Sequence, residues 1–145
     1  MFSIDRERFF DDFALRTGLK LTEQRQNALE FLLSKLERSS ELNLIRELAY
    51  VLATVRWESM YSFLPIKEKR FSREKNPRAW EHQNRYWKTG FYGRGYVQIT
   101  WEDNYRKAGK NLAGQVINVD GNEVVIEPNT FVINPDYVLN SEAHI

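Results

Sequence analysis

The chain has no cysteine. A disulfide framework and a thiolate-ligated metal site are therefore excluded, and folding in a reducing compartment is expected. Histidine is almost as scarce. His82 and His144 lie far apart and in no HExxH-like setting, so neither a metal nor any other cofactor is expected. No apolar run approaches the roughly 18 residues of a membrane span. The N-terminus is charged from Asp5 onward and has no apolar run of signal-peptide length. These absences lead to the expectation of a protein made in the cytoplasm without a signal peptide. It would not insert into a membrane, and would reach a cell wall only if delivered or released. Charge of one sign is missing too, with 21 basic against 20 acidic residues. The basic surplus of a nucleic-acid binder is not there, and no nucleic-acid partner is expected. Gly93-x-Gly95 lacks a third glycine at dinucleotide spacing and a Gly-Lys-Ser/Thr, so it is no phosphate loop. No nucleophile-elbow pattern supports Ser/His/Asp chemistry.

Aromatic residues make up 14% of the 145 residues. In a near-neutral chain this suits a carbohydrate site, where sugar rings stack on aromatic faces; it also suits an aromatic-rich core. The length reads as one domain, burying about two-thirds of its unfolded surface. A monomer is expected.

Residues 1–60 read as helices. Ser3 caps the first, where Phe9, Phe10 and Phe13 recur at helical spacing, and Gly18 ends it. Thr22 caps the second, with Ala28, Leu29, Leu32, Leu33 and Leu36 as its buried stripe. The third starts at Ser39 or Ser40 and runs through LNLIRELAYVLATVRWE. At about 100° per residue, Leu44, Leu48, Val51 and Val55 share a stripe with Glu58. An acidic side chain on a core-facing stripe must be paired or stay protonated, unless the helix frays first and the side chain meets water.

Pro65 breaks the helical pattern, and Lys67 to Asn76 reads as a charged loop. From Phe71 to Lys88, Trp80, Tyr86 and Trp87 mix with basic residues and Pro77, as a lid or as a solvated excursion. Asp103 to Ala113 reads as a helix. Val116–Glu127 is a β-hairpin turned by Asp120-Gly121, a type I′ pair. Asn134-Pro135 marks a turn into a further helix.

Glycoside hydrolysis usually needs two carboxyl groups, one protonated to protonate the leaving oxygen and one ionised to activate water. Glu58, on the apolar stripe, suits the acid; Glu68, among Lys67, Lys69 and Arg70, suits the base. With 20 acidic residues in the chain, many pairs share such a spacing. FYGRGYVQIT is more particular. Gly93 and Gly95 allow a tight backbone path and Arg94 can fork onto a carboxylate. Gln98 and Thr100, two apart, share one face of a short extended segment and offer an amide and a hydroxyl to sugar. A glycine turn before an ordinary strand accounts for the pattern equally well.

Taken together, AYVLATVRWES, FLPIKE and FYGRGYVQITWEDNYRKAG resemble, in order, three segments of the family 19 glycoside hydrolases, the chitinases and phage-type endolysins. The likeness runs from about Ala49 to Gly109 and weakly through INPDYVL. It implies a mainly α fold with a small β element, a lysozyme-like two-lobed α+β architecture with a substrate cleft and a short C-terminal part. Residues 1–60 would be helices ending in the acid, 61–105 the cleft loop and signature, and 116–127 the hairpin. It implies Glu58 as general acid, Glu68 as general base, and Thr100 holding the attacking water. Tyr92, Gln98 and Asn104 would contact substrate, and Arg94 would orient the cleft's carboxylates. The family inverts the anomeric centre, which implies carboxyls roughly 6.5–9.5 Å apart. The implied substrate is a β-1,4-linked N-acetylated polysaccharide, peptidoglycan rather than chitin on the compact FLPIKE spacing. The chain departs from the family at Trp57, where a histidine is usual, and at Met60 and Tyr61, where glycines are usual. Trp57 either lines the acid's surroundings beside the substrate or fills the cleft. Two other readings stand beside the enzyme: an inactive glycan-binding or regulatory relative, and a helical interaction domain.

Overall fold

The computed structural model describes residues 3–40, 42 and 44–140. It is mainly helical, with two small antiparallel sheets. The chain divides into two compact units, one running to Leu64 and one starting at Pro65, the proline at which the helical pattern breaks.

The first unit holds three helices: α1 (Arg6–Thr17), α2 (Glu23–Arg38) and α3 (Ile45–Glu58). Asp5, not Ser3, caps α1, its side chain accepting from the Arg8 N–H. Asp5 stands immediately before the first helical residue, where a short carboxylate reaches an otherwise unpaired amide. Gly18 closes α1 with φ +66°. Thr22 caps α2, and Ala28, Leu29, Leu32, Leu33 and Leu36 form its buried face as the spacing requires. The third helix starts later than expected, at Ile45, because the Glu47 carboxylate accepts the Leu44 N–H and closes the first turn there. Leu44 is thus outside the helix and exposed, while Leu48 and Val55 are buried. Phe13 packs edge-on against buried Phe63 at 5.6 Å.

In the second unit, β1 (Ile66–Lys67) pairs antiparallel with β2 (Arg94–Gly95), Ile66 opposite Gly95 and Lys67 opposite Arg94. Between them lies α4 (Pro77–Trp87), a helix where the sequence suggested a lid or excursion. Its signals are Pro77 at the first helical position and Gln83 and Tyr86 one turn apart on its buried face. After β2 come α5 (Glu102–Asn111), the hairpin β3 (Val116–Val119) and β4 (Asn122–Val125), the short α6 (Thr130–Ile133) and a 3-10 helix, Pro135–Asn140. The hairpin turns at Asp120 and Gly121, with φ +52° and +86°, the double left-handed geometry of a type I′ turn. The core of this unit is Tyr105, Ile117, Val119, Ile126, Phe131 and Val138.

Candidate functional site

The second unit builds its polar centre on Glu68, which follows β1. The Glu68 N–H donates to the Gly93 carbonyl at 2.7 Å, extending the β1–β2 pairing by one step. That step aims the carboxylate at two elements. Oε1 accepts from Gln83 Nε2 at 2.7 Å and from the Tyr86 hydroxyl at 2.8 Å, and Oε2 accepts from the Gly93 N–H at 2.8 Å. A carboxylate offers about four acceptor positions, of which protein donors take three, and Glu68 is half-buried. Gln83 is only 1% exposed and both its N–H donors are used: its amide also donates to the Lys69 carbonyl, and it accepts from the Phe71 N–H. Tyr86 is buried too. Burial first, and the bond to Glu68 second, push its phenol up to about 12, so it stays a proton donor throughout the neutral range. Gln83 was not singled out from sequence, and Tyr86 was named only as an aromatic of the expected lid or excursion. Their spacing of three on one helix face was the available signal.

Gly93 is required for a steric reason. A Cβ there would stand 2.6 Å from Gln98 Oε1 and 3.2 Å from Glu68 Oε2. Gly95 holds φ +89° and opens a tight reversal that returns at Ile99, where Arg94 and Ile99 exchange both backbone hydrogen bonds. Gln98 lies inside this reversal at φ +52°. The expected extended segment with Gln98 and Thr100 on one face is therefore a turn. Gln98 folds back, its Nε2 donating to the Ile66 and Gly95 carbonyls at 3.0 Å. The Thr100 hydroxyl donates to the Gln98 carbonyl at 3.0 Å.

Arg94 does not reach Glu68. It is 4% exposed, and its guanidinium donates to Asp136, to the Gly90 and Tyr92 carbonyls and to the Tyr105 hydroxyl. It orients a carboxylate, as the spacing suggested, but the one it orients is Asp136. Burial alone would raise the Asp136 carboxyl, but hydrogen bonds from Lys67 and Arg94 outweigh this and hold it below its ordinary value. Lys67 is shifted upward by its bond to Asp136. Lys67, Tyr92, Arg94, Asn134, Asp136 and Tyr137 line an open hollow of about 380 Å³ beside the turn. Tyr92 stacks on Trp87 at 4.3 Å and 15°. Asn104 is exposed, and its Nδ2 donates to the Thr100 carbonyl at 2.8 Å, across the first turn of α5. The second unit thus gathers Glu68, Tyr92, Arg94, Gln98, Thr100 and Asn104 along β1, β2, the turn and the start of α5.

Glu58 and Trp57 belong to the first unit. Glu58 is the last residue of α3 and is half-buried. Among the described residues of that unit no hydrogen bond or ion pair holds its carboxylate. Trp57 is 70% exposed and meets Tyr61 edge-on at 6.2 Å. Ala53, Arg56, Trp57 and Tyr61 border a shallow hollow of about 200 Å³. Directly after Glu58, Met60, Tyr61 and Phe63 take φ of +51°, +65° and +59°. Left-handed backbone at three non-glycine residues costs about 1 kcal/mol or more each, and such strain collects where chain direction serves a site.

Among the described residues no group of three His, Cys, Asp or Glu side chains could hold a metal ion, and no helix is long and apolar enough to cross a membrane. His144 lies outside the described residues. No family model, curated protein or solved structure matches the chain.

Proposed function

We propose that the chain hydrolyses β-1,4 glycosidic bonds in an N-acetylated polysaccharide, peptidoglycan in preference to chitin, by an inverting displacement within a lysozyme-like architecture. Glu68 is the general base, Glu58 the general acid, and Tyr92, Asn104 and Trp57 contact the glycan. The observation that carries the reading is the Glu68 carboxylate itself. It is held by three neutral donors at 2.7–2.8 Å and is partly exposed, and no protein donor takes the fourth of its roughly four acceptor positions. Neutral donors fix an ionised carboxylate without the ion pair that would compete for its charge, as a base that draws a proton from water requires. Arg94 and Gln98 act as positioning residues, the first through Asp136 and the second by closing the turn under Gly93.

The test is release of reducing ends from purified peptidoglycan. The chain should release them, and Glu68→Gln, which keeps the shape of the side chain, should lower the rate by roughly 10²-fold or more. Glycan binding with no release of reducing ends would make the chain an inactive relative instead.

A further inference from the structure

The near-neutral total conceals a segregation of charge. From Lys67 to Lys88 there are eight basic residues against three acidic; the rest of the chain has thirteen against seventeen. Lys69, Arg73, Lys75, Arg78, Arg85 and Lys88 are all exposed, and no ion pair engages any of them among the described residues. Arg78 and Arg85 lie two turns apart on the outer face of α4, with His82 between them.

The same segment carries a ladder of alternating cations and rings. The Arg73 guanidinium lies 5.1 Å from the Trp80 ring centre, and Arg70 lies 5.2 Å from Trp80 and 5.0 Å from Trp87. Trp87 stacks on Tyr92, and Arg94 lies 4.0 Å from the Tyr92 ring. A guanidinium over a ring is held by the ring's negative face, which fixes its orientation without neutralising its charge. The free cations therefore line a stiff support about 16 Å long over α4, continued by the loop before it.

We propose that α4 and its leading loop form a binding surface for an acidic polysaccharide, a chain with carboxylates at regular intervals. Regularly spaced anions match cations along a rod, and a net excess of five raises their local concentration at the surface. Single-stranded nucleic acid fits less well, because it stacks successive bases on free aromatic faces, whereas Trp80 and Trp87 each already carry two partners in the ladder and Phe71 alone adds an exposed phenyl ring. A membrane surface fits less well too, because the outer face of α4 (Arg78, Glu81, His82, Arg85) has no apolar side chain to insert and the leading loop exposes a single one, Phe71. The surface stands on charge and stacking and does not depend on the hydrolytic role of Glu68.

The experiment is calorimetric titration of the whole chain with polygalacturonate at low salt. Binding should weaken roughly tenfold or more in about 0.5 M sodium chloride, and by a similar factor in Arg78→Glu/Arg85→Glu. Lys107→Glu/Lys110→Glu, the same charge change on the exposed face of α5, should bind like the unaltered chain, and so should Glu68→Gln even if hydrolysis is lost. If circular dichroism shows the first variant unfolded, Arg78→Gln/Arg85→Gln takes its place. An equal loss in the α5 variant, equal binding to neutral dextran, or tighter binding to a single-stranded oligonucleotide would each overturn the proposal.

Discussion

Glu68 and Gly93 hold each other twice. The Glu68 N–H donates to the Gly93 carbonyl at 2.7 Å, and the Gly93 N–H donates to Glu68 Oε2 at 2.8 Å. One residue thus sets both the backbone register and the aim of the carboxylate, with Gln98 Oε1 packed where a Gly93 side chain would go. Gly93→Ala should destabilise the chain by about 1–3 kcal/mol through overpacking and a displaced hydrogen bond. Denaturant unfolding reads the stability. The variant should also lose most of any hydrolytic rate, while Gly90→Ala, where a Cβ meets nothing within 4 Å, is strained only by its φ of +84° and should leave Glu68 in place.

Tyr86 should titrate late. Its phenol is raised from 10.0 to about 12 by burial and then by Glu68. A folded-state value above the unfolded one means that its contribution to stability is complete below about pH 10 and is lost as the pH climbs towards 12. Carbon-13 NMR of the tyrosine ring carbons should show Tyr86 titrating late, with buried Tyr105 shifted in the same direction, and Glu68→Gln should bring Tyr86 down. Tyr86→Phe should cost about 1.5–3 kcal/mol, the range for a hydrogen bond to a charged acceptor.

The Asp136 carboxyl behaves in the opposite sense. Held below its ordinary 3.8 by Lys67 and Arg94 against the effect of burial, it stabilises the fold above that value and ceases to do so as the pH falls through its lowered value. Asp136→Asn should therefore flatten the acid limb of the stability curve. At neutral pH it should cost roughly 1–2 kcal/mol, less than a fully buried pair because Asp136 faces solvent on one side while Arg94 does not.

Met60 offers a gain. It is 75% exposed, so little packing depends on it, yet its φ is +51°. Met60→Gly should raise stability by about 0.5–1 kcal/mol, the left-handed penalty less the entropy of glycine. Tyr61→Gly should not, because Tyr61 also meets Trp57 and the Arg56 guanidinium. Thermal unfolding of the two variants separates the effects.

What could be read from the residues follows the range of the forces involved. The buried stripe of α2, its Thr22 cap, the Gly18 stop and the Asp120-Gly121 turn are local, and each was legible. The start of α3 was not, because serine at 39 and 40 looked like a cap while the Glu47 carboxylate closed the turn at Leu44 instead. The helix α4 was hidden by its many charges, since its buried face is built from Gln83 and Tyr86 rather than from aliphatic residues. At the candidate site, Gly93 and Gly95 marked a tight path correctly, but period-two spacing at Gln98 and Thr100 misled, because Gln98 takes a left-handed turn that a non-glycine residue rarely adopts. The Arg94 partner, Asp136, is 42 residues away, and no local pattern announces a contact of that range.

The proposed hydrolysis needs a carboxylate at position 68 and a second at position 58. Its most direct measurement is the rate of reducing-end release from peptidoglycan by the unaltered chain, Glu58→Gln and Glu68→Gln, with circular dichroism confirming that all three fold. The account predicts release by the first and near-complete loss in both variants. Undiminished release by either variant would contradict it.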